Sequence, residues 1–335
     1  MKISTWKVFS ILFLVFINHM NAQKLEKKYE IDSLIYLHKS YNTKNHIINF
    51  LEVTMPFVKE KKDLIFFLQG SYPSPLISED DNGKFLLLPF NLKEISKENI
   101  FVIISKPKIP VYTHFKDLDD NFQFDDEKTL SNYMKLNTLD YLSNEVNFLI
   151  TKYSKDKRIK NIYVIGHSQG GRVAANIRKK KIKKIAILSV NLLGRYEESV
   201  NQLRYQEISK QDSSFQNEIE KEYTSFSELK NNYKFKDTYE DLSLKSYKTF
   251  TFPSIINEIE KIKIPTLIAY GTNDIGVSFT NDIMRLRLIE ENKENFNFKV
   301  YPLLNHNFEK TNNITKENES QWQKVLEETI LWLKN

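Results

Sequence analysis

The residues best suited to chemistry are a serine, an aspartate and a histidine, each of which follows a different apolar stretch. Ser168 lies in the pentapeptide GHSQG, directly after the apolar run NIYVI, while Asp274 follows PTLIAY and His306 follows FNFKVY. A serine hydroxyl is a weak nucleophile until a neighbouring base removes its proton and an acid orients that base. The three residue types together are therefore typical of acyl transfer.

The pentapeptide around Ser168 has the pattern G-x-S-x-G, between a predicted strand and a predicted helix. A sharp turn that exposes a serine crowds the positions two before and two after it, so side chains at Gly166 and Gly170 would clash. The chain has only 8 glycines in 335 residues, so a chance match is improbable. The alternative interpretation is a glycine-flanked turn that carries an ordinary serine.

The acid and the base follow the serine in the chain order Ser, Asp, His that such a nucleophile turn requires. Of the 6 histidines, only His306 follows the serine motif, and it lies in a loop before the last predicted helix. The other position that could hold the acid is Asn191, which favours Asp274. A turn-forming aspartate and an exposed loop histidine remain the alternatives.

Two backbone amides are expected to bind the negative oxygen that forms during acyl transfer. One is the amide of Gln169, directly after the nucleophile, and the other is the amide of Ser71, in the loop after the strand DLIFFLQ. Gly70 is expected to let this second loop turn. The sequence therefore predicts a site made of Ser168, Asp274 and His306 with the Ser71 and Gln169 amides.

Short apolar runs alternate with helical segments, which predicts an α/β fold with a mostly parallel central sheet flanked by helices. Helical spacing of apolar residues indicates helices over residues 138–153 and 319–334, and residues 30–55 are expected to add a hairpin or edge strands. The predicted strands are residues 63–69, 99–105, 161–165, 185–190, 265–270 and 296–301.

Residues 191–262 interrupt this alternation with a polar, helix-prone segment that is rich in aromatic residues. The segment is too long for a simple crossover and too aromatic for a linker. We interpret it as an inserted, mainly helical cap, with residues 23–190 and 263–335 forming the core.

With these motifs, the chain resembles members of the α/β-hydrolase superfamily, in the segments LQGS, GHSQGG, IPTLIAYGTND and LLNHNF. The resemblance implies an acyl-enzyme mechanism in which Ser168 attacks a carbonyl, His306 transfers the proton and Asp274 orients His306. The Gln-Gly-Ser loop and the Asn-His-Asn-Phe end resemble the dienelactone-hydrolase and prolyl-oligopeptidase-like branches more than lipases. The superfamily usually has His-Gly where this chain has Gln69-Gly70.

Composition excludes several other classes. The chain has no cysteine, and its histidines lack the spacing of metal ligands, so we expect no metal site. No two glycines have the spacing that the motif G-x-G-x-x-G requires, so we expect no dinucleotide cofactor. The net charge of +6 is too dispersed to indicate nucleic acid, because the basic run at residues 178–184 coincides with a helix end.

The first 22 residues read as a secretory signal peptide with cleavage after Ala22, because Lys2 and Lys7 precede an apolar run that ends at residue 17. As a helix this run spans about 15 Å, half of a bilayer core, so a stable membrane span is the weaker interpretation. We therefore expect a secreted or periplasmic protein.

The sequence favours a serine hydrolase that cleaves a carboxylic ester. A peptidase or a thioesterase with the same three residues remains open, because no motif identifies the pocket. The substrate is expected to be a small ester, thioester or short peptide. From another class, a hydrolase-fold protein that binds a ligand without turnover is the remaining alternative.

Overall fold

The fold is that of a computed structural model, which describes residues 23–43, 46–54, 60–231, 234–236, 238–311 and 317–335. The predicted signal peptide, residues 1–22, lies outside the described residues, and it stays a prediction. Within the described part of the chain, no helix is long and apolar enough to cross a membrane.

The centre of the molecule is a nine-stranded sheet. Its strands are β1 Gln23–Ile31, β2 Leu34–Asn42, β3 Ile47–Thr54, β4 Lys62–Leu68, β7 Asn99–Ile104, β9 Ile159–His167, β10 Ile182–Leu188, β11 Thr266–Gly271 and β12 Phe296–Tyr301. They lie side by side in the order β1-β2-β3-β7-β4-β9-β10-β11-β12. The six strands from β7 to β12 in this order are parallel, whereas β1, β2 and β3 pair antiparallel at one edge.

The six strands that the apolar runs predict are the six parallel strands of this sheet, so the predicted α/β fold class is confirmed. The expected edge strands in residues 30–55 are also present, as β2 and β3. Two small sheets were not expected, because their strands are short and mixed in polarity. They contain β5 Ile77–Asp80, β6 Gly83–Leu86 and β8 Tyr112–His114 in one, and β13 Glu309–Thr311 with β14 Asn318–Ser320 in the other.

Helices cover both faces of the sheet. Two of them correspond to the helices that apolar spacing predicts, and they begin at Leu139 and Trp322. The helices are α1 Glu127–Leu136, α2 Leu139–Tyr153, α3 Gln169–Ala175, α4 Arg195–Lys210, α5 Phe215–Lys230, α6 Tyr239–Thr251, α7 Ile255–Ile259, α8 Ile275–Glu290 and α9 Trp322–Lys334.

Strand β4 shows why the sheet is buried on both faces. Its alternate residues Leu64 and Phe66 belong to one apolar cluster, which also contains residues of α2, while Ile65 and Phe67 belong to a second cluster with residues of α9. Each such side chain contributes roughly 1.5–3 kcal/mol when it is fully buried. This double burial explains the continuous apolar run, which lacks polar alternation.

The candidate site lies at the carboxyl ends of the parallel strands, which are all on the same side of the sheet. Gln69 follows β4, Ser168 follows β9, and the loops with Asp274 and His306 follow β11 and β12. As expected, one helix and one strand separate the aspartate from the histidine.

Residues 191–262 contain α4, α5, α6 and α7. Several of the aromatic residues form a cluster, since Tyr196 contacts Phe226 and Tyr247 with ring centroids 5.0 and 5.4 Å apart. Others, Tyr205 and Tyr223, are about half exposed. The interpretation of this segment as an inserted cap stays a prediction.

Candidate active site

The structure brings Ser168, His306 and Asp274 together in one hydrogen-bonded chain. Ser168 Oγ lies 3.0 Å from His306 Nε2, and His306 Nδ1 lies 2.9 Å from Asp274 Oδ2. Because a carboxylate only accepts, the Nδ1 hydrogen is donated to Asp274, which leaves Nε2 free to accept the serine hydroxyl hydrogen. Each residue is therefore in position to activate the next.

Ser168 sits in a strained turn between β9 and α3. Its backbone has φ 53° and ψ −122°, a region that side chains rarely adopt, and its amide donates to the carbonyl of Leu188 at 2.9 Å. A Cβ atom at Gly166 would lie 2.2 Å from the carbonyl oxygen of Gly170, and one at Gly170 would lie 2.0 Å from that of Leu68. Both glycines are thus required by close backbone approach, as the sequence pattern predicts.

The loops after β11 and β12 are joined by backbone contacts, which fixes the acid relative to the base. The amide of Asn273 donates to the carbonyl of Leu304 at 2.9 Å, and a Cβ atom at Gly271 would lie 2.0 Å from the same oxygen. Asp274 is 4% exposed, so its carboxylate is held in a buried position. The side chain of His306 remains 34% exposed and faces the cavity.

The two amides predicted to bind an oxyanion, those of Ser71 and Gln169, both belong to residues that line the cavity beside Ser168. Neither amide donates to another described residue. Gln169 is the first residue of α3, where amides lack a partner within the helix. The Ser71 loop is fixed by Tyr133, whose hydroxyl donates to the Ser71 carbonyl at 2.8 Å.

Gly70, expected to be needed for the turn of this loop, is under no steric constraint. A Cβ atom there would meet nothing closer than 3.7 Å, the distance to Ser168 Cβ. This contact is an ordinary one, so the expectation about Gly70 is corrected: the loop turns without needing a glycine. Gly70 lies next to Ser168.

An open cavity of about 1140 Å³ is lined by Ser168, by His306 and by the two amide-bearing residues, whereas Asp274 is buried beside His306 and does not line it. Its wall includes Arg195 and Glu198 from the beginning of α4, and Tyr247 and Phe250 from α6. Arg172 of α3 joins the nucleophile helix to this wall, since its guanidinium donates to the carbonyls of residues 250 and 253. The volume is sufficient for a small organic substrate.

Parts of the chain are similar in sequence to known proteins. A model of the dienelactone hydrolase family matches residues 244–335. A protein of Mycoplasma genitalium named "Putative esterase/lipase 2" is 27% identical over 244 residues, which cover 70% of this chain and 79% of that protein.

Solved structures share the fold. Acetyl xylan esterase 1 from Thermoanaerobacterium sp. superposes with a TM-score of 0.51 at 14% identity, over 98% of this chain and 94% of that one. An acylaminoacyl peptidase, solved with a chloromethyl ketone, has a TM-score of 0.51 at 10% identity, over 94% of this chain and 48% of the peptidase. The chain therefore shares the fold of these α/β hydrolases.

His167, which precedes the candidate nucleophile Ser168, contacts the loop that carries the candidate base. Its Nε2 lies 2.9 Å from the carbonyl oxygen of His306, and its ring packs on Trp322 with centroids 4.8 Å apart. Burial, reinforced by the nearby His306, lowers the pKa of His167 to about 3. His167 is therefore neutral and donates a hydrogen bond to the histidine loop, a role that its sequence position alone did not reveal.

Two opposing effects set the basicity of His306. Burial lowers the pKa of His306, but the hydrogen bond and charge of Asp274 and the charge of Glu198 outweigh it, so the pKa is raised above its ordinary value. Burial in turn raises the pKa of Glu198. A second carboxyl group thus acts on the histidine from α4, and no spacing pattern pointed to it.

Arg195 supplies a positive charge to the cavity wall. Its guanidinium stacks over the rings of Tyr247 and Phe250, at 5.1 and 5.7 Å from their centroids. No carboxylate of the described residues lies within ion-pair distance of it. Among the described parts of the chain, no group of three histidine, aspartate or glutamate side chains is placed to hold a metal ion.

Gln69 replaces the histidine that the superfamily usually has before the glycine of the oxyanion loop. Its side-chain amide donates to the carbonyl of Ile104 at 3.2 Å, which ties the end of β4 to the end of β7. The backbone carbonyl of Gln69 faces the Nζ atom of Lys106 at 3.4 Å. The loop is therefore held by contacts to Ile104 and Lys106.

Proposed function

We propose that this chain is a serine hydrolase that cleaves a carboxylic ester through an acyl-enzyme intermediate. The observation that carries the proposal is the hydrogen-bonded chain from Asp274 through His306 to Ser168, with the serine in a strained turn that opens onto the cavity. A protein that only binds a ligand does not need these three residues in this arrangement.

In the first half of the reaction, Ser168 Oγ attacks the substrate carbonyl carbon while His306 Nε2 takes the hydroxyl hydrogen. The carbonyl oxygen becomes negative, and the amides of Ser71 and Gln169 stabilise it. His306 then gives its proton to the leaving oxygen, so the alcohol departs and the acyl group stays on Ser168.

In the second half, His306 takes a proton from a water molecule, whose oxygen attacks the acyl carbon. The tetrahedral intermediate collapses, the acid leaves and Ser168 regains its hydrogen from His306. Asp274 keeps its negative charge throughout and stabilises the positively charged imidazole, in agreement with the raised pKa of His306. No cofactor is required by these steps.

The choice of an ester is supported by the names of two similar proteins, the esterase/lipase of Mycoplasma genitalium and the acetyl xylan esterase. Esters also have a better leaving group than amides, so a triad of this kind acts on them with less assistance. The N-terminal sequence further supports export of the enzyme, with cleavage after Ala22 as part of the proposal.

The test is hydrolysis of p-nitrophenyl esters of increasing acyl length, compared with aminoacyl p-nitroanilides and an acyl thioester. We expect turnover of at least one ester, and loss of that turnover in Ser168→Ala. Faster hydrolysis of an anilide or thioester than of every ester would contradict the ester proposal. For export, N-terminal sequencing of the protein secreted by the native host is expected to begin at Gln23.

A further inference from the structure

Lys106 is buried behind the loops that carry the two candidate oxyanion amides. It lies two residues beyond the end of β7, the strand next to β4, and only 6% of it is exposed. It is not among the residues that line the catalytic cavity. A lysine in such a position needs a reason, because lysine is rarely buried without a partner.

The Nζ atom of Lys106 contacts both loops at once. It donates to the side-chain oxygen Oε1 of Gln169 at 3.2 Å, and it faces the backbone carbonyl of Gln69 at 3.4 Å. Gln169 supplies one of the two oxyanion amides, and Gln69 lies two residues before Ser71, which supplies the other. One side-chain nitrogen therefore links the two halves of the proposed oxyanion site.

No described carboxylate lies within ion-pair distance of Lys106. The charged groups that face it are Glu145 of α2 and Arg195 of α4. Glu145 is itself buried, and His46 lies 3.5 Å from it. Burial lowers the pKa of Lys106 to about 7 and raises that of Glu145 to about 8.

We propose that Lys106 is a positioning residue that holds the amides of Ser71 and Gln169 in place to bind the oxyanion. This inference rests on the proposed function, because it assigns a role within the same reaction. The contacts explain why Gln69 can replace the usual histidine: Lys106 fixes the Gln69 carbonyl from one side while the Gln69 side chain binds Ile104 from the other.

The geometry predicts a specific defect in Lys106→Met, which keeps an unbranched side chain of nearly the same length and removes its hydrogen-bond donors. Loss of a single oxyanion donor typically costs about 10²–10³ in turnover, and a misplaced donor costs less, so we expect kcat to fall about 10- to 100-fold. The KM for a small ester is expected to change little, since the oxyanion forms only in the transition state.

A comparison of an ester with its thionoester separates this role from a general structural one. In a thionoester the developing charge lies on sulfur, which is larger and accepts hydrogen bonds poorly, so the reaction depends less on the two amides. We expect Lys106→Met to lower kcat for the oxygen ester and to lower the ratio of ester to thionoester turnover by a similar factor.

The matched control is Lys62→Met. Lys62 is also 6% exposed and donates to a backbone carbonyl, that of Ser96, but this contact does not involve any residue of the candidate site. It is expected to keep the wild-type ratio. If Lys106→Met does not fold, Gln169→Met serves in its place, since it removes the side-chain acceptor and keeps the backbone amide.

Equal loss of ester and thionoester turnover in the folded Lys106 variant would overturn the inference. An unchanged ratio of ester to thionoester turnover in Gln169→Met would do the same. Either result would leave the proposed function intact. A wild-type enzyme that is folded but inert towards both substrates would instead overturn the proposed function, and with it this inference.

Discussion

His167 donates the hydrogen of its Nε2 atom to the backbone carbonyl of His306, 2.9 Å away. The residue before the candidate nucleophile thus fixes the loop that carries the candidate base, across 139 positions of sequence. Trp322 and Phe308 pack on the same ring, so the imidazole has little room to move.

Replacement of His167 by leucine is therefore expected to lower kcat while the protein remains folded. Leaving a buried carbonyl without its donor costs about 1–3 kcal/mol, so kcat is expected to fall by roughly 5- to 150-fold if this cost displaces His306. Steady-state kinetics and circular dichroism check this. His38→Leu, which removes a histidine bonded to Asn49 at the far edge of the sheet, is expected to leave kcat unchanged.

Replacement of Asp274 by asparagine is expected to lower kcat by about 10⁴, with little change in KM. The asparagine amide can donate to Nδ1 of His306, which favours the tautomer with the hydrogen on Nε2 and blocks proton transfer from Ser168. Single-turnover measurements of ester hydrolysis test this. A loss of less than tenfold would mean that another residue acts as the acid.

As the pH falls, kcat/KM is expected to decrease with a midpoint above the ordinary pKa of histidine. Proton transfer requires neutral His306, and its pKa is raised by Asp274 and Glu198 against the effect of burial, so activity is lost as the pH falls through that raised value.

Replacement of Glu198 by glutamine is expected to move this midpoint to lower pH, because it removes a negative charge that stabilises the protonated histidine. Glu197→Gln, on the neighbouring residue of α4, is the matched control. The same inflection in wild type and Glu198→Gln would show that Glu198 does not act on His306.

Alanine at Gly170 is expected to destabilise the fold severely, since its Cβ atom would lie 2.0 Å from the carbonyl oxygen of Leu68. The backbone of β4 cannot yield as a flexible side chain would, and an effect above about 4 kcal/mol is in the range seen for the most damaging substitutions. Thermal unfolding checks this. Gly70→Ala, with no contact closer than 3.7 Å, is expected to unfold near the wild-type temperature.

Much of the fold could be predicted because the parallel strands are buried on both faces. Strands such as β4 and β11 read as uninterrupted apolar runs, and the residues that follow them point to one edge of the sheet. Because the loops that follow parallel strands lie together, the order of Ser168, Asp274 and His306 along the chain was enough to predict that the three residues are close in space.

The residues that the sequence did not reveal act through contacts between distant segments. Lys106 contacts the loops of the two candidate oxyanion amides from just beyond the end of β7, and Glu198 acts on His306 from α4, so neither lies in a motif with the serine. Gly70 was misjudged for a related reason: whether a position must be glycine depends on what packs against it.

The most direct test of the account is labelling with a fluorophosphonate, which reacts with a serine only when a base has activated it. Wild-type protein is expected to be labelled on Ser168, identified by mass spectrometry of the modified peptide. Ser168→Ala is expected to remain unlabelled, while Ser189→Ala, which changes a buried serine of the cavity wall, is labelled. Folded wild-type protein that takes up no label, or takes it up on another residue, would contradict the assignment of Ser168 as the nucleophile.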